Sequence, residues 1–347
     1  MYVSEILDAI RWVEANVVAT RAPDLYNALA GVLEANAQPN AQQPFESQKT
    51  ELVNAIKSIS TVGLTEDQVA FLRELNIAQH VGQEGVDRLE EILVRNPVDV
   101  ATAAAKVRAI TKEIQRGVKR LNAIKEALVE VPIPAPREVQ PGEVLLRVKF
   151  KDDAAINNVV DLKEWSRIWH DIARGIAMLH DAAPEDIRVV GAATGSIIVD
   201  LVAAYVIAKT ATAILLESLK VADRVLDIRL KAQQVRALKL DNDKAALEIE
   251  QAAEKEREKR IATIVATVSA SAAQIDGEKT NALTKSVENL VTFIEKGGQV
   301  DCTMPSAPEG AAEHAEIEEK RQVLLTTFAE IRELETKVAR IEHTLRD

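Results

Sequence analysis

Through the first 130 residues, apolar positions recur every three to four places. In SEILDAIRWVEANV, Ile6, Ile10, Val13 and Val17 share one stripe, the spacing of a helix with a buried face. Pro23 and the polar run QPNAQQP punctuate the next segments. LTEDQVAFLREL opens on a capping box, in which Thr65 and Gln68 exchange side-chain and backbone hydrogen bonds. Further on, Val107, Ile110, Ile114, Val118, Leu121, Ile124 and Leu128 make a coiled-coil-like seam. The pattern predicts a helical bundle over 1–130. Three prolines at alternate positions, Pro132, Pro134 and Pro136, then stop any helix, so 131–141 reads as an extended spacer.

The period changes after the spacer. EVLLRVKF is short and rich in branched aliphatics, the signature of a strand. DLKEWSRIWHDIARGIAMLHD reads as a helix started by Asp161 and Glu164, with Leu162, Trp165, Ile168, Ile172 and Leu179 as its stripe. DIRVVGAATGSIIVDLV reads as two strands around a turn at Thr194-Gly195. Ile187 and Val189 flank Arg188 on the first strand. On the second, Ile197, Val199 and Leu201 alternate with Ser196 and Asp200. Residues 142–202 therefore predict a β-α-β-β module, one helix over a small sheet. Its hairpin resembles those of small adaptor modules in several bacterial systems, a pattern too generic to name a family.

Residues 203–296 read as a long helical, coiled-coil-prone region. Val221, Val225, Ile228, Ala232 and Val235 carry a stripe that fades in the charged run 241–260. It resumes at Ile261, Ile264, Val265, Val268, Ala272 and Ile275, then at Leu283, Val287, Leu290 and Ile294. Gly297-Gly298 and the prolines beyond mark 297–309 as a loop. The last segment, 310–347, carries Ile317, Leu324, Ile331, Leu334, Val338, Ile341 and Leu345 at coiled-coil spacing, to meet an earlier helix or another subunit. The fold class expected is mainly α with a small α+β module.

The most apolar stretch, 191–218, raises the question of a membrane. Once the hairpin takes residues through about 202, roughly 14 apolar residues remain, short of the roughly 17–25 that span a bilayer. Lys209 sits at their centre, where a charge costs about 2.5–3.5 kcal/mol. A buried helix start is the reading taken, and lipid contact through 203–219 is the alternative.

Composition sharpens this picture. Of 347 residues 47% are hydrophobic but only 3% aromatic, which favours long helices over an all-β fold. A net charge of -11 argues against a general nucleic-acid binder. The single cysteine, Cys302, excludes an intrachain disulfide framework, and the N-terminus has no basic region of a secretory signal. A cytoplasmic protein is expected, not an integral membrane one.

Candidate chemistry is sparse. GAATGS lacks the glycine spacing and the lysine of a phosphate loop. His170-Asp171 and His180-Asp181 lie on one helix, with His170 and Asp181 about 16 Å apart along the axis, too far for one metal ion bound at about 2 Å. Trp165 and Trp169 read as core. Cys302 has no base beside it in sequence, and His80, His314 and His343 lack ligand spacing. No catalytic, metal or cofactor residue is assigned. One constellation stands out: Arg108, Lys112, Arg116 and Lys119 line one helical face, within a run from Lys106 to Lys125 that holds seven basic residues and one acid. Such a face suits an acidic protein partner or lipid headgroups, or else acidic helices of the same chain. A weaker basic patch comprises Lys220, Arg224, Arg229, Lys231, Arg236 and Lys239. The function expected is a non-enzymatic, homo-oligomeric scaffold or sensor-adaptor assembled through coiled-coil helices; the alternative is a membrane-associated factor.

Overall fold

The computed structural model describes residues 3–38, 43–95, 99–129, 139–140, 142–193, 197–237, 243–271, 275–304 and 314–346. Two compact units divide the chain, Met1–Pro136 and Arg137–Asp347. Their boundary falls in the proline spacer, most of which lies outside the described residues, as does the turn at Thr194-Gly195. The fold is mainly α with a small α+β part.

The first unit is helical: α1 (Val3–Val13) extended by a π turn at Glu14–Val18, α2 (Ala22–Asn36), α3 (Glu46–Ser58), α4 (Glu66–Glu74), α5 (Gly82–Arg95) and α6 (Val100–Val129). Ile10, Val13 and Val17 are buried, as their stripe requires. Thr65 caps α4: its hydroxyl accepts from the Gln68 amide at 3.3 Å, and the Thr65 amide donates to Gln68 Oε1 at 2.9 Å. The seam of α6 is spent inside the unit. Val107, Ile110, Ile114 and Leu121 share one buried cluster with Tyr26, Leu29 and Leu33 of α2. Each such aliphatic side chain contributes about 1.5–3 kcal/mol by leaving water.

The second unit runs β1 (Glu143–Phe150), α7 (Val159–Ala177), β2 (Arg188–Ala193), β3 (Ile197–Ala204), α8 (Tyr205–Ala237), α9 (Asp243–Ser271), α10 (Gly277–Glu295), β4 (Gln299–Thr303) and α11 (His314–Arg346). Its strands form one antiparallel sheet in the order β2-β3-β1-β4. Residues 142–202, 203–296 and 310–347, read from sequence as successive regions, thus pack into one body.

Several sequence expectations need correction here. The segment 297–309 is not all loop, because Gln299–Thr303 pairs with β1 as β4. Five residues beside a double glycine carry too little pattern to read as a strand, and only the waiting edge of β1 makes them one. Helix α7 is capped by Asn158, whose Oδ1 accepts from the Val160 and Asp161 amides, so it starts before Asp161-Glu164. Leu162 is exposed, while Trp165, Ile172 and Ile176 are buried. Finally, the sheet is covered on both faces rather than by one helix.

One face is apolar. Val144, Leu146, Val148 and Phe150 meet Val300 and Cys302 across the β1–β4 pairing and pack against α7 and α10. Phe150, Trp165, Trp169 and Phe293 make edge-to-face contacts with centroids 5.2–6.5 Å apart. The opposite face is ionic yet buried. Arg147 stands in register with both Asp200 and Asp301, and its Nε donates to Asp200 Oδ1 at 3.0 Å. Arg147, Lys149, Asp200 and Asp301 are all buried, and Arg332 of α11 reaches Asp301 at 3.3 Å. Asp200 therefore does not face water, as its place in the alternation suggested. Removing one partner of such a pair costs about 3–5 kcal/mol, because a buried charge is left behind.

The region after residue 203 is not one continuous rod. Helices α8 and α9 pack along each other, with small Ala232, Ala246 and Ala253 buried. Helix α10 ends in a Schellman turn: the Gly298 amide donates to Phe293 O at 3.0 Å and the Gly297 amide to Ile294 O at 2.9 Å. Gly297 has φ +86°, which favours glycine. Helix α11 lies on α8, burying Ile317, Leu324, Ile331 and Val338.

Candidate functional site

The strongest candidate is the outer face of α6. Its inner seam faces α2, so the residues in between point outwards by helical geometry. Arg108, Lys112, Arg116 and Lys119 do share that face, but the fold divides them. Arg108 is taken up within the unit: its Nε and Nη2 each donate to Glu34 at 2.5 Å, and its Nη1 donates to Asn27 Oδ1 at 2.6 Å. The Arg108 fork holds the Glu34 carboxyl below its ordinary range, aided by the charge of Lys112, and Glu34 raises Arg108 in return. At the far end Lys125 pairs with Glu14 of the π turn at 2.6 Å.

Between these two ties lies a row of cations, of which Lys112 shares the field of Glu34 without pairing to it. Lys112, Arg116 and Lys119 are exposed, and no ion pair or hydrogen bond joins them to another described side chain. Arg120, counted in the basic run but not among the four residues of the face, is exposed beside them and has no ion pair among the described residues. From Lys112 to Lys119 the row advances about 10 Å along the axis at 1.5 Å per residue. Like charges one turn apart oppose helix formation by a few tenths of a kcal/mol per pair. An external anion would turn that cost into a gain. Ala105, Ala109, Ala123 and Ala127, which continue the row at its two ends, are exposed and small.

The second basic patch is spent internally. Lys220 pairs with Glu217 and Glu330, Arg229 with Glu254, Lys231 with Asp227, and Arg236 with Glu250. Lys239 lies outside the described residues. The histidine–aspartate pairs are likewise drawn into packing. Asp171 binds Lys285 of α10 at 2.8 Å and Asp181 binds Lys279 at 2.6 Å, while His180 Nε2 lies 2.8 Å from Thr210 Oγ1 and His170 is largely exposed. They stitch α7 to α8 and α10 without converging on one point. Among the described residues no group of three or more His, Cys, Asp or Glu side chains is placed to hold a metal ion.

Cys302 lies in β4 and is buried, with its thiol raised well above the ordinary range by burial and by Asp301. The apolar stretch is core: Ile207, Ala208, Ile214 and Leu215 are buried while Lys209 is exposed. Among the described residues no helix is long and apolar enough to cross a membrane. The chain matches no family model, no curated protein and no solved structure.

Proposed function

We propose that this chain is a non-enzymatic interaction protein, an adaptor whose first unit engages an acidic partner protein through the α6 face. The observation that carries this reading is the row Lys112, Arg116 and Lys119, exposed and without an ion pair or hydrogen bond to another described side chain. A partner helix of acidic residues fits it, because the flanking alanines allow close approach while offering no large apolar side chain to bury in lipid. Assembly through the two coiled-coil seams has less support, since both are covered within the chain, by α2 and by α8. Self-association, if it accompanies adaptor function, uses other surfaces. Membrane association is the second reading, resting on the same cations, because 203–219 is engaged in the core.

The test is binding of the full chain to a fluorescent polyglutamate peptide, with phosphatidylcholine vesicles run with and without phosphatidylserine. Polyglutamate binding that weakens as salt rises is expected. The variant Lys112→Gln/Arg116→Gln/Lys119→Gln should lose at least about ten-fold in affinity with unchanged circular dichroism. Binding to phosphatidylserine vesicles alone would replace the protein partner by a membrane surface. Binding to neither would sink both readings.

A further inference from the structure

We propose that the free edge of β2, with the cleft at its start, docks an extended segment of a partner protein that carries a basic side chain. A four-stranded open sheet has two edges, and the second unit treats them differently. The β4 edge is closed by α11: Glu335 Oε1 accepts the Val300 amide at 3.1 Å, and Arg332 holds Asp301. The β2 edge is outermost, with β3 on one side only. Among the described residues, no backbone hydrogen bond from outside the sheet reaches Arg188–Ala193. Val189 on this strand is 68% exposed. A bare edge is a template for another strand, and folds that do not use one cover it. The irregularity between Val189 and Gly191 limits the straight run, which suits a short partner segment better than a long continuous sheet.

The kind of partner follows from what adjoins the edge. A cleft of about 480 Å³ opens where the chain enters β2. Glu143, Glu185, Asp186 and Arg188 line it with Val206 and Ile207. Arg188 Nη2 lies 2.8 Å from both Glu143 oxygens, so that pair neutralises itself. Asp186 accepts the Ala183 amide at 2.8 Å and has no ion pair among the described residues, and Glu185 is exposed beside it. The rim is therefore net negative, above a wall that includes the 54% exposed Val206. A lysine or arginine fits both features, with its alkyl stem on valine and its charge at the carboxylates. Main-chain pairing along β2 would supply affinity and the cleft would supply side-chain choice, the division of labour in strand addition.

The experiment titrates the full chain with three labelled hexapeptides, followed by anisotropy and amide hydrogen exchange. They are alternating Val-Lys, alternating Val-Glu, and Val-Lys with N-methylated backbone. The Val-Lys peptide should bind and slow exchange at 188–193. The Val-Glu and N-methylated peptides should bind at least ten-fold more weakly, and Glu185→Lys, at an exposed position, should weaken the Val-Lys peptide to a similar degree. No binding, equal binding of the Glu peptide, or protection confined to other segments would overturn the proposal. So would concentration-dependent protection of β2 without peptide, which would make a second copy the occupant. The α6 triple variant should bind the Val-Lys peptide normally, so this site and the α6 face stand or fall separately.

Discussion

His80 shows what burial does to a titratable group in this protein. Its ring lies inside the first unit, with Nε2 2.8 Å from Glu113 Oε2, while Tyr26 donates to its carbonyl at 2.9 Å. Burial pulls its pKa below the usual 6.5; Glu113 and Glu84 push upward and Arg88 downward, and burial wins. The sign follows from linkage. An unfolded chain binds this proton more readily than the folded one, so the contribution to stability is complete above about 6.5 and is lost as pH falls through the lower folded value. Urea midpoints of the first unit should therefore drop as pH falls below about 6.5, and His80→Gln should flatten that drop. An unchanged slope in the variant would assign the acid sensitivity to other groups.

At the scale of elements, close helix crossings depend on single glycines. A Cβ at Gly175 of α7 would lie 2.4 Å from Ala282 O and 2.6 Å from Ser286 Cβ of α10. Backbone cannot step aside cheaply, so Gly175→Ala should cost roughly 1–3 kcal/mol by forcing the helices apart. Gly31 in α2 is the control, with nothing within 4 Å of the added atom. Gly31→Ala should gain up to about 1 kcal/mol from helix propensity. Thermal unfolding of the two variants should shift in opposite directions, and a neutral Gly175→Ala would show that the α7–α10 contact is looser than these distances imply. The seams of these elements were legible because a 3.6-residue period needs only local order. Their partners were not: α6 could have met another subunit as readily as α2, and α11 another chain as readily as α8.

At the scale of the molecule, each unit encloses its own apolar cluster, one around Tyr26 and Ile114 and one around Phe293 and Val144. Separate cores make separate folding units. Fragments 1–136 and 137–347 should each be helical by circular dichroism and unfold cooperatively on their own. A fragment that stays unfolded until its counterpart is added would mean that the two halves share stability.

Periodicity, prolines and capping residues alone determined the helical character of 1–130, the break at 131–141, the strands around 143–150 and 188–204, and the basic face of α6. Each of these depends on residues within a few turns of one another. Tertiary structure decided the rest. Whether Arg108 is free or bound depends on Glu34, 74 residues away, and Asp200 is buried against Arg147, 53 residues before it. Strand β4 exists because β1 presents an edge to a five-residue segment with little pattern of its own. A charge in sequence is only a charge; its partner, its water and hence its use are set by what folds against it.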